Sequence, residues 1–590
     1  MSRTVAMALA FVGGLVVSGQ AQQSSSLANL KTTAEASAFK ATSTYEDVVR
    51  FMQAVAQASR NVHYTTYGTT SEGRAMPLAV VGLGLKDASA ASVKATGKLR
   101  VHIQANIHAG EVEGKEAAQI LLRELAMGQH AEWLQSTVFL ITPIFNADGN
   151  ERFALTNRQR QNGPINGMGT RQNAQNLNIN RDFMKLETPE ARAFAKLWVD
   201  YDPHVGFDLH TSDGSTHGYY LTYAPPLNPD TSDTIMRIMK DEWFPFVTKN
   251  IKAKHGWDTF YYGNVGDPNG RGGGRGRRGA PDAGGAAAAT GGGAGTGAAR
   301  GAGGGQAAAG RGAQGPPMPE TVGATPQGGQ LRAWATFEHV PRYHNNYVGL
   351  RNRFALLSEA YAYATFEDRI KATNYFLEEA LTFAHQNATR LKKACEDADK
   401  ESILGKQEAT RAQMKRDGTI DILMGEVEDE KNPNSGATMN RRKDVTKVEP
   451  MVDMLWFEPS MTEDVPTEYY VPAAATKAID LLKAHGIAMR HLTQPVRGVE
   501  QFVITSNTQR PVNASSIDTG QHGLRALEGS WQAAPGSTAP AGAWAVPMNQ
   551  PLARLAFYLI APTSDDGLLA WNVLDDLLAD AKTYPVLRKR

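Results

Sequence analysis

Four polar clusters in this 590-residue chain have residue types and spacings that could do chemistry. In QANIHAGEVEGKEAAQ, residues 104–119, Glu111 follows His108 by three positions just after an apolar run. Alone, the pair also reads as an ordinary loop entering a helix, although no other histidine in the chain has a glutamate at that spacing. His210, in FDLHTSD, ends a second apolar run, where a lone histidine also suits a satisfied structural role. Taken together, two imidazoles and one carboxylate are the donor set of a catalytic zinc site. Zinc takes nitrogen and oxygen ligands tetrahedrally, and three protein ligands leave one position for water. The sole cysteine, Cys395, excludes an internal disulfide framework and a cysteine-ligated zinc, so any metal must sit on histidine and carboxylate.

The other clusters are NADGNERF (146–153) and MGTRQNAQNLNINRDFMKLETPEARAF (168–194). The first reads as a turn. The second holds Arg171, Asn178, Asn180, Arg181 and Asp182 in a segment too polar for a core. Basic and amide groups beside a metal can hold a carboxylate or an oxyanion, and arginine grips a carboxylate with two parallel hydrogen bonds. A solvated Asn/Asp turn is the plainer reading of that loop by itself. Glu359 in FALLSEAYAY ends an apolar run, where desolvation raises a carboxyl pKa toward that of a general base. It could instead pair with Arg342, Arg351 or Arg353. Glu338 in WATFEHV is its rival.

Positioning these groups requires rigid strand ends. MPLAVVGLG, KLRVHIQANIHAGE, STVFLITPIFNADG, HVGFDLHTSDG and NRFALLSEAYAY read as strands, and STYEDVVRFMQAVAQAS (capped by Ser43 or Thr44), EGKEAAQILLRELAMGQ and 366–401 as helices. Strands alternating with helices imply an α/β domain with a mostly parallel sheet, whose site lies beyond the carboxyl ends of the strands. Glu113 and Glu116 fall in the first turn of the helix after the His108 loop, where its dipole favours anions. Residues 265–329, dominated by Gly, Ala and Arg, cannot bury enough apolar surface to order themselves and read as a disordered surface insertion. Residues 391–449 read as a charged linker region. Residues 450–590 read as a smaller α/β or α+β module without a chemical motif of its own.

The ordered set His-x-x-Glu, Asn-Ala-Asp-Gly, Asn-Arg, Asp-Leu-His and a late strand Glu resembles the zinc carboxypeptidase family, the metallocarboxypeptidases related to carboxypeptidase A. The resemblance covers residues 40–390, and TTSEGRAMPLAVVG resembles the family's opening segment. It implies a mixed, mostly parallel sheet flanked by helices, with one zinc ion per chain on His108, Glu111 and His210. It implies Glu359 as general base, with Glu338 the alternative. Arg171 would polarise the scissile carbonyl, with Arg158 and Arg160 in competition, and Asn180 and Arg181 would bind the substrate's terminal carboxylate. One departure stands out. The family's usual Asp, two residues before the Asn-Arg pair, is here Asn178, a neutral support that raises ligand basicity less. The implied activity is removal of C-terminal residues from peptides. A zinc amidase acting on N-acyl amino acids or cell-wall peptides, and an inactive binding protein, are the alternatives.

The N-terminus, MSRTVAMALAFVGGLVVSGQAQQSSS, carries Arg3, a short apolar core at 5–17, and Gly19 and Ala21 at the −3 and −1 positions of a cut. This is the pattern of a cleaved signal peptide (1–21), which implies a secreted or periplasmic protein. No other stretch is long and apolar enough to span a membrane. A net charge of +1 points to no nucleic-acid partner, and in an exported protein the Arg-Gly tract reads as insertion rather than as an RNA-binding segment.

Overall fold

The computed structural model describes residues 27–266, 331–510, 522–533, 536–579 and 581–590. The expected leader, 1–21, lies outside the described residues, as does the expected insertion apart from its first two positions.

The central sheet contains β1 (Val62–Thr69), β2 (Ala75–Val81), β3 (Leu99–Ala105), β4 (Thr137–Thr142), β5 (Val205–Ser212), β6 (Leu221–Ala224) and β7 (Thr259–Tyr261). After two short strands of another sheet, β8 (Asn264–Gly266) and β9 (Ala333–Ala335), β10 (Phe354–Tyr361) completes it. The spatial order is β1-β2-β4-β3-β5-β10-β6-β7. β3 runs parallel to β4 and β5, and β5 parallel to β10, while β1, β2 and β6 pair antiparallel with their neighbours on the β10 side or within the β1–β2–β4 edge. Every residue of β3, β4 and β5 is buried, because helices cover both faces and the strands therefore read as apolar runs.

The pleat divides the core into two layers. Leu78, Val80, Val138 and Leu140 pack on one side of the sheet, and Ala79, Val81, Phe139 and Ile141 on the other. One layer is closed by α1 (Tyr45–Ala58), α2 (Glu113–Met127) and, later in the chain, α6 (Phe366–Gln386). The other is closed by α3 (Pro189–Tyr201) and α5 (His344–Leu350). α1 starts at Thr44, whose side chain and that of Asp47 cap each other's backbone N–H, and it buries Val48, Phe51, Met52 and Val55 on one stripe. Ser43 is not the cap; its N–H donates to Glu116 over 2.7 Å. The 366–401 helix is two helices, α6 (Phe366–Gln386) and α7 (Ala388–Lys400), broken at Asn387. α4 (Phe244–His255) flanks the β7 edge.

Residues 391–449, expected to be a charged linker, are structured. After α7 come β11 (Gln407–Lys415), β12 (Thr419–Lys431), β13 (Thr438–Met454) and β14 (Trp456–Asp464). β12 and β13 form a long antiparallel hairpin whose charges pair across strands, as in Lys443–Glu426 at 2.8 Å. Ile422 and Met451 supply the buried positions that a composition dominated by charge conceals.

The C-terminal module has its own six-stranded sheet, in the order Arg490–His491, Trp544–Pro547, Glu468–Val471, Leu587–Lys589, Glu500–Gln509, Arg525–Ala533. Its helices α8 (Thr476–Ala484) and α9 (Ala553–Ile560) share one continuous core with α3 and α5. The module is thus packed onto the face that carries Trp198, Tyr347 and Val348.

Candidate metal centre and its surroundings

β3 ends at Ala105, and Asn106 takes a left-handed conformation (φ 63°) that turns the chain sharply. Its side-chain amide donates to the carbonyls of Ala109 and Glu111 at 3.3 and 3.1 Å, clipping the loop that presents His108 and Glu111. On β5, Asp208 and His210 are two apart and so share a face. All three candidate ligands are buried, and their donor atoms lie within 4.8 Å of one another.

The two imidazoles approach Glu111 in the same way. His108 Nδ1 stands 2.9 Å from Glu111 Oε1, and His210 Nδ1 2.8 Å from Oε2. Their other nitrogens face fixed acceptors: His108 Nε2 meets Asn178 Oδ1 at 3.1 Å, and His210 Nε2 meets Asp208 Oδ2 at 2.8 Å. Arg171 Nη1 donates to His108 Nδ1 over 3.2 Å, so that nitrogen is an acceptor and the proton sits on Nε2. Burial, with Arg171 beside it, drives the His108 pKa down to about 3 and keeps it neutral. Two acceptors, His108 Nδ1 and Glu111 Oε1, therefore face each other, with the Arg158 and Arg171 guanidiniums against them. Pinned Nε2 atoms, Nδ1 atoms turned inward and a carboxylate between them are a donor set that fits a zinc ion and its usual outer hydrogen bonds.

The two supports differ. Asn178 is neutral. Asp208 is charged and fully buried, and its other oxygen accepts from Gln104 Nε2 at 3.1 Å on the neighbouring strand. Although burial opposes it, Asp208 and Glu111 raise the His210 pKa well above its ordinary value in the metal-free protein. Asp208 was not singled out as a site residue from sequence, yet its position two residues before His210 on a buried strand was the available signal.

Glu359 sits on β10 in register with His210 on β5, so the two side chains are neighbours on the same face. It is half-buried. Desolvation first, with Glu111 and Asp213 adding to it against the opposing pull of His210, pushes its carboxyl up to about 8. Glu338 is exposed in the segment after β9, outside the central sheet. Arg342 pairs with Asp566 at 2.8 Å, and Arg353 with Asp202 and Asp399 at 2.7 and 2.8 Å, so neither guanidinium is the partner of Glu359.

Both Arg171 and Arg158 reach the centre. Arg158 Nη2 donates to Glu111 Oε1 at 2.6 Å, and Arg171 Nη1 lies 3.6 Å from the same oxygen. Arg160 is exposed, and its carbonyl accepts from Asn440 N–H of the long hairpin at 2.9 Å. Asn178 caps a short turn, Ile179–Arg181, by accepting from Asn180 N–H at 3.2 Å. The same oxygen that orients His108 therefore also places Asn180 and Arg181. The Arg181 guanidinium lies 3.8 Å over the ring of Tyr343, the residue before α5. Sequence reasoning could not place Tyr343, which is far from Arg181 along the chain.

The remaining motif residues build the frame. Asn146 caps the turn that follows β4, and Asp148 accepts from Thr70 Oγ1 at 2.7 Å and pairs with Arg74 at 2.7 Å, locking the opening TTSEGR segment to the NADG turn. Asp182 accepts from Thr188 Oγ1 at 2.7 Å. Glu113 and Glu116 are buried rather than simply exposed first-turn anions. Glu113 binds the Thr211 hydroxyl next to His210 and lies 3.4 Å from Arg369. Glu116 accepts from Thr42 and Ser43.

Residues 48–216, which carry His108, Glu111, Asn178, Arg181 and His210, match the family model described as "Zinc carboxypeptidase". This segment is similar to the zinc carboxypeptidase family. Carboxypeptidase 2 of Trichophyton rubrum is 29% identical over 170 residues, covering 28% of this chain and 28% of that protein. Probable carboxypeptidase 2 of Arthroderma benhamiae is 29% identical over 179 residues, covering 29% of this chain and 30% of that protein. The match thus spans less than a third of the length of either relative. Among solved structures, a metallo-carboxypeptidase from Burkholderia cenocepacia superposes with a TM-score of 0.37 at 16% identity, covering 59% of this chain and 70% of that one. Within the zinc carboxypeptidase segment lie all three candidate ligands, both supports and both arginines that approach Glu111; Glu359 and Tyr343 lie beyond it.

Proposed function

We propose that the protein is a zinc-dependent carboxypeptidase that hydrolyses the C-terminal peptide bond of peptides. The observation that carries this reading is the convergence of two imidazole Nδ1 atoms and Glu111, each imidazole pinned from behind, next to a desolvated carboxyl on the adjoining strand.

His108, Glu111 and His210 would hold a zinc ion, which would supply Lewis acidity toward a water and a carbonyl oxygen. Glu359 takes the proton of the attacking water and passes it to the leaving nitrogen. Its carboxyl, raised to about 8 without metal, is favoured as carboxylate beside a dication. Arg171, with Arg158 beside it, presents N–H donors to the oxygen on which negative charge develops. Arg181 and Asn180 hold the carboxylate of the terminal residue, which restricts cleavage to chain ends.

The deciding experiment compares an N-acyl dipeptide, its C-terminal amide and an N-acyl amino acid as substrates, with and without a zinc chelator. The proposal expects chelator-sensitive hydrolysis of the free dipeptide and a preference of roughly 100-fold over its amide, the loss of a charge-assisted pair. Faster turnover of the N-acyl amino acid would assign an amidase instead.

The leader pattern carries a second proposal, that the mature protein is exported. N-terminal sequencing of secreted or periplasmic protein should begin at Gln22; mature protein starting at Met1 would contradict export.

A further inference from the structure

The stack of Arg181 on Tyr343 stands on two segments that contribute nothing to the central sheet, residues 181–187 and 339–351. Both are gripped by the C-terminal module. Arg342, one residue before Tyr343, pairs with Asp566 at 2.8 Å, and its backbone N–H donates to the other Asp566 oxygen at 2.6 Å. Trp571 Nε1 donates to Asp566 at 3.0 Å, and its ring faces both the Arg342 guanidinium at 4.8 Å and Lys185 Nζ at 4.4 Å. Lys185 Nζ in turn donates to the Arg181 carbonyl at 2.8 Å. Just past α8, His485 bridges the same two segments. Its Nε2 donates to the Met184 carbonyl at 3.2 Å, which leaves Nδ1 to accept from the Tyr347 hydroxyl at 2.9 Å. Asp566 and His485 are fully buried.

A buried ion pair seldom adds more stability than apolar packing of the same volume, but it fixes direction. Here the fixed elements are the residues on either side of one guanidinium–ring stack.

We propose that the C-terminal module is part of the substrate-carboxylate subsite: Asp566, Trp571 and His485 are positioning residues that hold Tyr343 under the Arg181 guanidinium and so aim the group that grips the terminal carboxylate. This rests on the carboxypeptidase reading for its catalytic consequence, while the positioning itself is independent of it.

The test uses the full zinc-loaded chain and two variants, Asp566→Asn and Trp571→Phe, with zinc content measured for each. KM for the free N-acyl dipeptide should rise about tenfold in Asp566→Asn and about threefold in Trp571→Phe, since small misplacement of a binding group is felt strongly, with kcat within about twofold. kcat/KM for the amidated substrate should not change. Hydrogen exchange should quicken in 180–187 and 339–347 and stay unchanged in β3, β5 and β10. Wild-type KM and exchange in both variants, or equal losses on free and amidated substrates, would overturn the inference. If wild-type protein cleaves neither substrate, the peptidase reading falls, and the exchange pattern still decides whether the module positions these segments.

Discussion

The two ends of the site are built differently. At the metal end, the three candidate ligands, Asp208 and Glu359 sit on or just beyond a strand of one sheet: His108 and Glu111 after β3, His210 with Asp208 on β5, and Glu359 on β10. At the carboxylate end, Arg181 and Tyr343 come from a capped turn and a helix entry, held by side chains from beyond residue 480. A strand end is placed by backbone ladders and is hard to move. A loop is placed by whatever packs on it. On the proposed function, the contrast implies that the chemistry of this site resists remote change, whereas the selectivity for a free carboxylate proposed for it is open to tuning from the C-terminal module.

Breaking the metal end should have the largest effect. His210→Ala should take zinc from one per chain to none by elemental analysis, with hydrolysis falling to background; a variant that keeps both would place the centre elsewhere. Glu359→Gln should retain zinc and lower kcat by about 10²- to 10⁴-fold. Glu338→Gln should behave as wild type, and the reverse pair of results would reassign the base. A finer test separates the two supports. Asp208→Asn should weaken zinc binding by about 10- to 100-fold, while Asn178→Asp should tighten it, both read by competition with a chelator; equal affinities would mean that support charge does not matter here.

The smallest expected effect is on stability. In the metal-free protein, the Glu359 carboxyl ionises near pH 8 rather than at its ordinary 4.5. Between those values the folded chain binds a proton that the unfolded chain has lost, so this group's contribution to stability declines as pH rises through that window. Metal-free wild-type protein should therefore lose more Tm between pH 5 and 8 than Glu359→Gln, on the order of a few degrees at most. Parallel curves would show that Glu359 ionises normally.

Much of the metal end was legible in the sequence because its signals are short-range. His108 and Glu111 are three apart, Asp208 and His210 two apart, and the strands that carry them are apolar runs. The central sheet was legible for the same reason. Asn106 was not, because nothing in its neighbours announces a left-handed residue. Tyr343, Asp566 and His485 were not, because their contacts with Arg181, Arg342 and Met184 cross long stretches of chain and leave no periodic trace. The β12–β13 hairpin was hidden by its charge, since cross-strand ion pairs and a solvated linker have the same composition. Asn178 could be read as a departure from the resembling family, but not that its oxygen serves both His108 and the Arg181 turn.

The most direct test of the central claim, that metal and carboxylate ends act on one peptide, is the ratio of kcat/KM for a free dipeptide to that for its amide, in zinc-loaded wild type and in Arg181→Met. The account predicts a ratio of roughly 100 in wild type that collapses toward one in the variant, through loss on the free substrate alone. An unchanged ratio in the variant would contradict it.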